Sequence, residues 1–182
     1  MMADRKKQIV LGVTGSIAAY KAVELVRRLQ EKKFEVSVVM TATATHFITP
    51  LTMASISQRQ VYVGMFDAQQ KPWEKDHVGL AQWADALLVA PATADFIGKV
   101  AHGIADDLLT CTVMATKAPV LIAPAMNQGM YRNTIVQENI GRLKKIGYHM
   151  IGPAKGRLAC GDTGEGRLAE IDAIVKQVES VV

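Results

Sequence analysis

Apolar residues along this chain follow two distinct rhythms. In the segments 8–13, 35–40, 86–90 and 120–123 they run almost unbroken and are rich in β-branched types, the pattern of short strands covered on both faces. Between these runs they recur every three or four positions among charged residues, which predicts amphipathic helices. Such helices are expected over 17–31, with Ser16 placed to cap the start, over 45–57, with Pro50 near its beginning, and over 94–102 and 107–116. Another is expected over 133–145, ending at Gly147, and a last one from about residue 171. Weaker signals give short strands at 61–63 and 149–151, a hydroxyl-rich exit loop over 41–45, a polar loop over 67–75, and a glycine-rich loop between Gly156 and Gly166. Strands alternating with helices imply a three-layer α/β/α sandwich around a parallel sheet, with right-handed crossovers. In such a sheet ligands bind beyond the carboxyl ends of the strands.

Composition narrows this further. A chain of 182 residues with 49% hydrophobic content can bury one good core and is short for two. No repeat or linker interrupts it, so residues 1–182 are expected to form a single domain. The net charge of +4 comes from scattered basic residues such as Arg27, Arg28, Lys144 and Lys145, without the interleaved aromatics of a nucleic-acid face. Phosphate-bearing small ligands suit it at least as well as nucleic acid. The two cysteines, Cys111 and Cys160, make neither a disulfide framework nor a metal-ligand spacing, which favours a reducing, cytoplasmic setting without a bound metal. Thr14, Gly15, Ser16 and Lys21 break the apolar stretch that follows Arg5-Lys6-Lys7, against a signal peptide. No apolar run is long enough to span a bilayer.

Four short motifs carry the candidate chemistry, and a fifth segment supports them. Gly12-Val13-Thr14-Gly15-Ser16-Ile17-Ala18 joins the first strand to the first helix, where glycines permit a tight turn and N–H groups at the helix start can receive a phosphate. It is not the spaced glycine fingerprint of dinucleotide sites, and the second strand ends in Thr41 and Thr43 rather than in an acid for an adenosine ribose. Those hydroxyls suit a mononucleotide phosphate, although a plain strand-to-helix turn reads the same way. Ala90-Pro91-Ala92-Thr93-Ala94-Asp95-Phe96 has the same geometry one unit later. Its small residues let a flat ring approach and Thr93 can donate to ring atoms; the alternative is a strand that simply stops at a proline. His77 carries an imidazole, a group suited to proton transfer or to pairing with a carboxylate, yet an isolated histidine also serves as a surface or cap residue. Asn127, in Pro124-Ala125-Met126-Asn127, follows a strand and reaches the ligand edge, where its amide can bond a carboxylate or cap the next helix. Cys160, in Cys160-Gly161-Asp162-Thr163-Gly164-Glu165-Gly166-Arg167, sits in a polar loop placed to touch a substrate, or is an adventitious thiol. Cys111, inside a helix, reads as core.

Taken in order, these motifs resemble those of the homo-oligomeric flavin-containing cysteine decarboxylases, over nearly the whole chain from about Gln8 to Val181. The resemblance implies a Rossmann-like fold and FMN as cofactor. It places Gly15, Ser16, Ile17 and Thr41, with Thr43 beside them, on the FMN phosphate side, and Thr93, Ala94, Asp95, Phe96 and Ala125 along the flavin. It makes His77, Asn127 and Cys160 catalytic, with Met126, Asn127, Ala159, Cys160 and Gly161 against the substrate. The implied reaction converts 4'-phosphopantothenoylcysteine to 4'-phosphopantetheine in coenzyme A biosynthesis: thiol oxidation to a thioaldehyde, loss of CO2 to give an enethiol, then reduction with Cys160 as proton donor. The implied assembly is a homotrimer or a dodecamer with sites at subunit contacts, and a separate ligase is expected to make the substrate. Neither nucleic acid nor membrane is an implied partner. A relative acting on peptide C-termini would stop at the enethiol and would not need Cys160. A flavin prenyltransferase would want basic residues near Thr93, where Asp95 stands. A non-catalytic FMN-binding regulator would be expected to carry long acidic extensions.

Overall fold

The computed structural model describes residues 5–65, 77–157, 161 and 163–182. Its main sheet has six strands, β1 (Gln8–Val13), β2 (Glu35–Met40), β3 (Val61–Tyr62), β4 (Ala86–Ala92), β5 (Val120–Pro124) and β6 (His149–Met150), in the order β3-β2-β1-β4-β5-β6 with every pairing parallel. The three-layer α/β/α expectation holds. This is the doubly wound Rossmann order, whose winding reverses between β1 and β4 and opens a crevice there.

Side-chain alternation along the strands divides the core in two. Ile9, Leu11 and Val13 of β1, with Val36, Val38 and Met40 of β2, pack beneath α1 (Lys21–Glu31), α2 (Pro50–Ser57) and α8 (Ile171–Glu179). Val10 of β1 and Leu87 and Val89 of β4 turn to the opposite layer, made by α3 (His77–Trp83), α4 (Ala94–Ala101), α5 (Leu108–Ala115) and α7 (Thr134–Lys145). Gly12 lies on this second face because a Cβ there would come within 2.6 Å of Leu109, so its absence lets α5 settle on the sheet.

Several expected elements differ. The helix anticipated over 17–31 starts with a 3-10 turn, Ile17–Tyr20, before α1. The segment read as an exit loop is a second 3-10 turn, Ala42–His46, capped by Thr41, and the helix anticipated from residue 45 begins only at Pro50, capped by Thr49. A short helix, α6 (Gln128–Arg132), was not anticipated. The glycine-rich stretch is not a plain loop: β7 (Ala154–Arg157) and β8 (Thr163–Arg167) pair antiparallel as a separate hairpin. The 67–75 loop lies outside the described residues. Among the described residues no helix is long and apolar enough to cross a membrane, and no group of side chains is arranged to hold a metal ion.

Candidate active site

The switch point is stitched by one hydroxyl. Thr14, 1% exposed, donates from Oγ1 to the Pro91 carbonyl at 2.8 Å and accepts from the Thr93 N–H at 3.0 Å, while its own N–H reaches Pro91 at 3.3 Å. Both functions of a buried hydroxyl are therefore used, and the turns after β1 and β4 are fixed against each other. The turn after β1 also closes on the turn after β2. A Cβ on Gly15 would fall 2.5 Å from Thr43 Oγ1, and Thr43 Oγ1 lies 3.0 Å from Thr41 Oγ1. Ser16 accepts the Ala18 N–H at 3.3 Å. Within the described residues no hydrogen bond engages the N–H of Gly15 or Ile17. Two hydroxyls and two unengaged N–H groups thus lie close together, a donor set of the kind that receives phosphate.

On the other side of the crevice, Thr93 caps α4 by accepting the Phe96 N–H at 3.3 Å, which leaves its hydroxyl proton available as a donor. Ala94 is half-buried, and exposed Asp95 lies 3.5 Å from Lys99. Phe96 is 2% exposed and its ring belongs to the core, so it anchors α4 from beneath. The Ala125 N–H bonds the Ala92 carbonyl at 3.0 Å, drawing the end of β5 toward β4. Asn127 then starts α6, its Oδ1 accepting the Gly129 N–H at 2.7 Å. The helix-cap reading of Asn127 is thus met, and the residue is exposed and also lines the cavity.

The hairpin leans on this same corner. Met126 donates its N–H to the Gly166 carbonyl at 2.9 Å, and Gln128 Oε1 accepts the Glu165 N–H at 3.0 Å. Two glycines make the approach possible. A Cβ on Gly166, at φ +132, would meet the Met126 carbonyl oxygen at 2.2 Å, and one on Gly164 would overlap Gln128 Oε1 at 1.5 Å.

The Ser16–Ala18 turn, the Ala125–Asn127 corner and the hairpin border a cavity of about 660 Å³, with Tyr20, Lys21, Arg157, Gly166, Arg167 and Leu168 completing the wall. His77, half-buried at the first position of α3, is not among the lining residues, and neither are Gly15, Thr41, Thr43, Thr93, Ala94, Asp95 and Phe96. Ala159 and Cys160 lie outside the described residues; Gly161, at φ +95, is described and meets nothing that a Cβ would touch. Sequence reasoning missed Arg157 and Arg167, because cations 10 positions apart look scattered until a hairpin folds them onto one wall. It quoted Thr14 only as part of a turn; a threonine between two turn glycines was the available signal.

A family model described as Flavoprotein matches residues 2–182. The chain belongs to the Flavoprotein family. Among similar curated proteins, the coenzyme A biosynthesis bifunctional protein CoaBC of Vibrio vulnificus is 52% identical over 164 residues, covering 90% of this chain and 41% of that protein. The chain thus spans about two-fifths of the length of that relative. A solved PPC decarboxylase, a cysteine-to-serine variant complexed with pantothenoylaminoethenethiol, is 34% identical with a TM-score of 0.84, covering 97% of this chain and 98% of that one. The structure of the FMN-dependent cysteine decarboxylase SpaF is 32% identical with a TM-score of 0.83, covering 96% and 97%.

Proposed function

We propose that this chain, acting as one flavoprotein domain, catalyses the FMN-dependent decarboxylation of 4'-phosphopantothenoylcysteine to 4'-phosphopantetheine in coenzyme A biosynthesis. The observation that carries this is a single cavity linking the Ser16–Ile17 turn to the Met126–Asn127 corner at the point where the sheet reverses its winding. The residues present fit FMN: Gly15, Ser16, Ile17, Thr41 and Thr43 suit its phosphate, while Thr93, Ala94 and Ala125 offer small, partly polar surface to a flat ring. Bound there, FMN supplies the oxidation of the cysteinyl thiol to a thioaldehyde, the electron sink that loss of CO2 requires, and the later return of hydride to the enethiol.

The chain's own residues position and protonate. Asn127, fixed at the start of α6, presents an amide to the substrate carboxylate and holds it for departure. Met126 supplies apolar contact beside it. His77 orients the substrate thiol for oxidation, and the chain assembles as a homotrimer or dodecamer with its sites at subunit contacts. Cys160, flanked by Ala159 and Gly161, gives the proton that completes the saturated thiol. The substrate is the product of a ligation that joins cysteine to phosphopantothenate, and the setting is cytoplasmic.

The test is to incubate the FMN-loaded protein with 4'-phosphopantothenoylcysteine and weigh the product. Loss of CO2 with a saturated thiol is expected. A product two hydrogens lighter would indicate chemistry that stops at the enethiol, and unchanged substrate would remove the enzymatic reading. Cys160→Ser should accumulate the enethiol and His77→Asn should block an earlier step. Asn127→Asp is a sharp variant, because a carboxylate still accepts the Gly129 N–H and keeps the cap while repelling the substrate carboxylate. We expect turnover to vanish with flavin retained; full activity would mean that Asn127 is only a cap.

A further inference from the structure

Two cationic side chains in the cavity have no task in this scheme. Arg157, at the end of β7, and Arg167, at the end of β8, both line it, and Lys21 at the start of α1 lines it as well. Arg167 lies across Gly156, where a Cβ would sit 3.6 Å from its Nε and 3.7 Å from its Cζ, so its guanidinium reaches the residue next to Arg157. One arm of Arg167 pairs with Glu170. Its Nε is buried with no hydrogen-bond partner among the described residues, which is unfavourable unless a ligand supplies an acceptor.

The other anionic groups of the reaction already have partners of a different kind. Backbone N–H groups and the Thr41 and Thr43 hydroxyls suit the cofactor phosphate, and a neutral amide, Asn127, suits the departing carboxylate, which a strong cation would hold back from leaving as CO2. What remains is a pair of guanidinium groups with a lysine, a set matched to a phosphate monoester carrying close to two negative charges at neutral pH. We propose that Arg157 and Arg167 form the subsite for the substrate's terminal phosphate and make this chain selective for phosphorylated over unphosphorylated pantothenoyl thiols; this specifies the substrate end of the proposed function and rests on it. The hairpin then serves recognition directly, since the glycines that let β8 dock on Met126 also bring Arg167 to the cavity.

Calorimetric titration of the FMN-loaded protein with 4'-phosphopantetheine and with pantetheine tests the subsite without turnover. The phosphorylated ligand should bind at least about tenfold tighter at low salt, with the preference shrinking as salt rises. Arg157→Gln, at an exposed position, should reduce that preference while leaving pantetheine affinity and FMN content unchanged; Arg167→Gln should do the same, and Arg167→Lys should restore part of it. Equal weakening of both ligands, or loss of FMN from these variants, would overturn the proposal by showing that the arginines support the hairpin or the cofactor. Decarboxylation of phosphorylated and unphosphorylated pantothenoylcysteine with equal kcat/KM would overturn the subsite and leave the proposed function standing. Phosphate-dependent binding without any decarboxylation would support the subsite and remove the proposed function.

Discussion

The two sides of the site are built on different principles. At the switch point, the Thr14 hydroxyl, the Thr93 N–H and hydroxyl oxygen, the Pro91 and Ala92 carbonyls and the Ala125 N–H all bond within the protein, and the residues behind them are fully buried strand ends. The hairpin opposite is a two-stranded ribbon outside the main sheet, carrying exposed Arg157, half-buried Arg167 and the closely packed Gly164 and Gly166 rather than large apolar side chains, and touching the Met126–Gln128 corner through two hydrogen bonds. A preorganised wall suits a group that stays, as FMN would, because its geometry needs no adjustment at each turnover. A lightly attached ribbon suits a group that must enter and leave. Perturbing the first wall should therefore appear as lost stability and lost cofactor, and perturbing the second as lost substrate handling.

Gly166→Ala is the largest break of this division. The added Cβ would sit 2.2 Å from the Met126 carbonyl oxygen at a φ of +132, so the ribbon must move off its corner. We expect kcat/KM to fall by about a hundredfold, an order of magnitude set by the sensitivity of catalysis to ångström-scale displacement. The melting temperature should drop little and FMN content should hold. A fall in flavin content matching the fall in activity would merge the two walls into one unit.

Thr14→Val breaks the other side. Valine keeps the shape and removes the hydroxyl, stranding the part-buried Thr93 N–H and taking a donor from the buried Pro91 carbonyl. The cost should be about 1–3 kcal/mol of unfolding free energy, read by denaturant titration, with weaker FMN retention and with the KM of any variant that stays loaded unchanged. Thr14→Ser should recover most of the loss, since it retains the hydroxyl.

How much of this was visible in the chain follows the same line. The scaffold wall was legible: unbroken apolar runs gave β1, β2, β4 and β5, and turn residues at their ends located Gly15, Ser16, Thr93 and Asn127. The ribbon was not. Its strands read Ala-Lys-Gly-Arg and Thr-Gly-Glu-Gly-Arg, without the apolar alternation that marks a half-buried strand, because they pair across the corner of another element rather than over a core. Gly164 and Gly166 looked like loop residues because the object they avoid, the Met126–Gln128 corner, lies nearly 40 positions away in sequence. The 3-10 turn at Ala42–His46 escaped for a related reason: Thr41 and Thr49 each cap a separate start, and one apolar pattern runs through both.

Gln128→Ala probes the ribbon more gently than Gly166→Ala. It removes the acceptor for the Glu165 N–H and leaves the Met126 to Gly166 bond in place. Losing one such bond in a partly exposed site is worth about 1 kcal/mol, which spread over docking alone would raise KM severalfold with kcat nearly unchanged. Gln128→Glu, which keeps the acceptor, should restore wild-type KM. A larger effect on kcat than on KM would mean that Gln128 reaches into the chemistry.

The smallest expected effect lies in the scaffold itself. The Cys111 thiol on α5 donates to the Ala105 carbonyl at 3.3 Å, and burial, followed by the nearby Asp107 and Asp106 carboxylates, pushes its pKa above the ordinary thiol value. A raised pKa leaves less thiolate at any pH below it, and the thiolate is the nucleophile. In a Cys160→Ser background, where only Cys111 can react, alkylation at pH 8 should be slower than for a free thiol and should rise with pH along a curve displaced upward from that of the urea-unfolded chain. Asp106→Asn should move that curve down only slightly, because burial outranks the carboxylates and Asp106 already faces Lys99 at 3.1 Å. If the variant instead reacts like the unfolded chain, the thiol is governed by local charge rather than by a closed scaffold, and the contrast between a committed wall and a lightly held ribbon would need to be redrawn at α5.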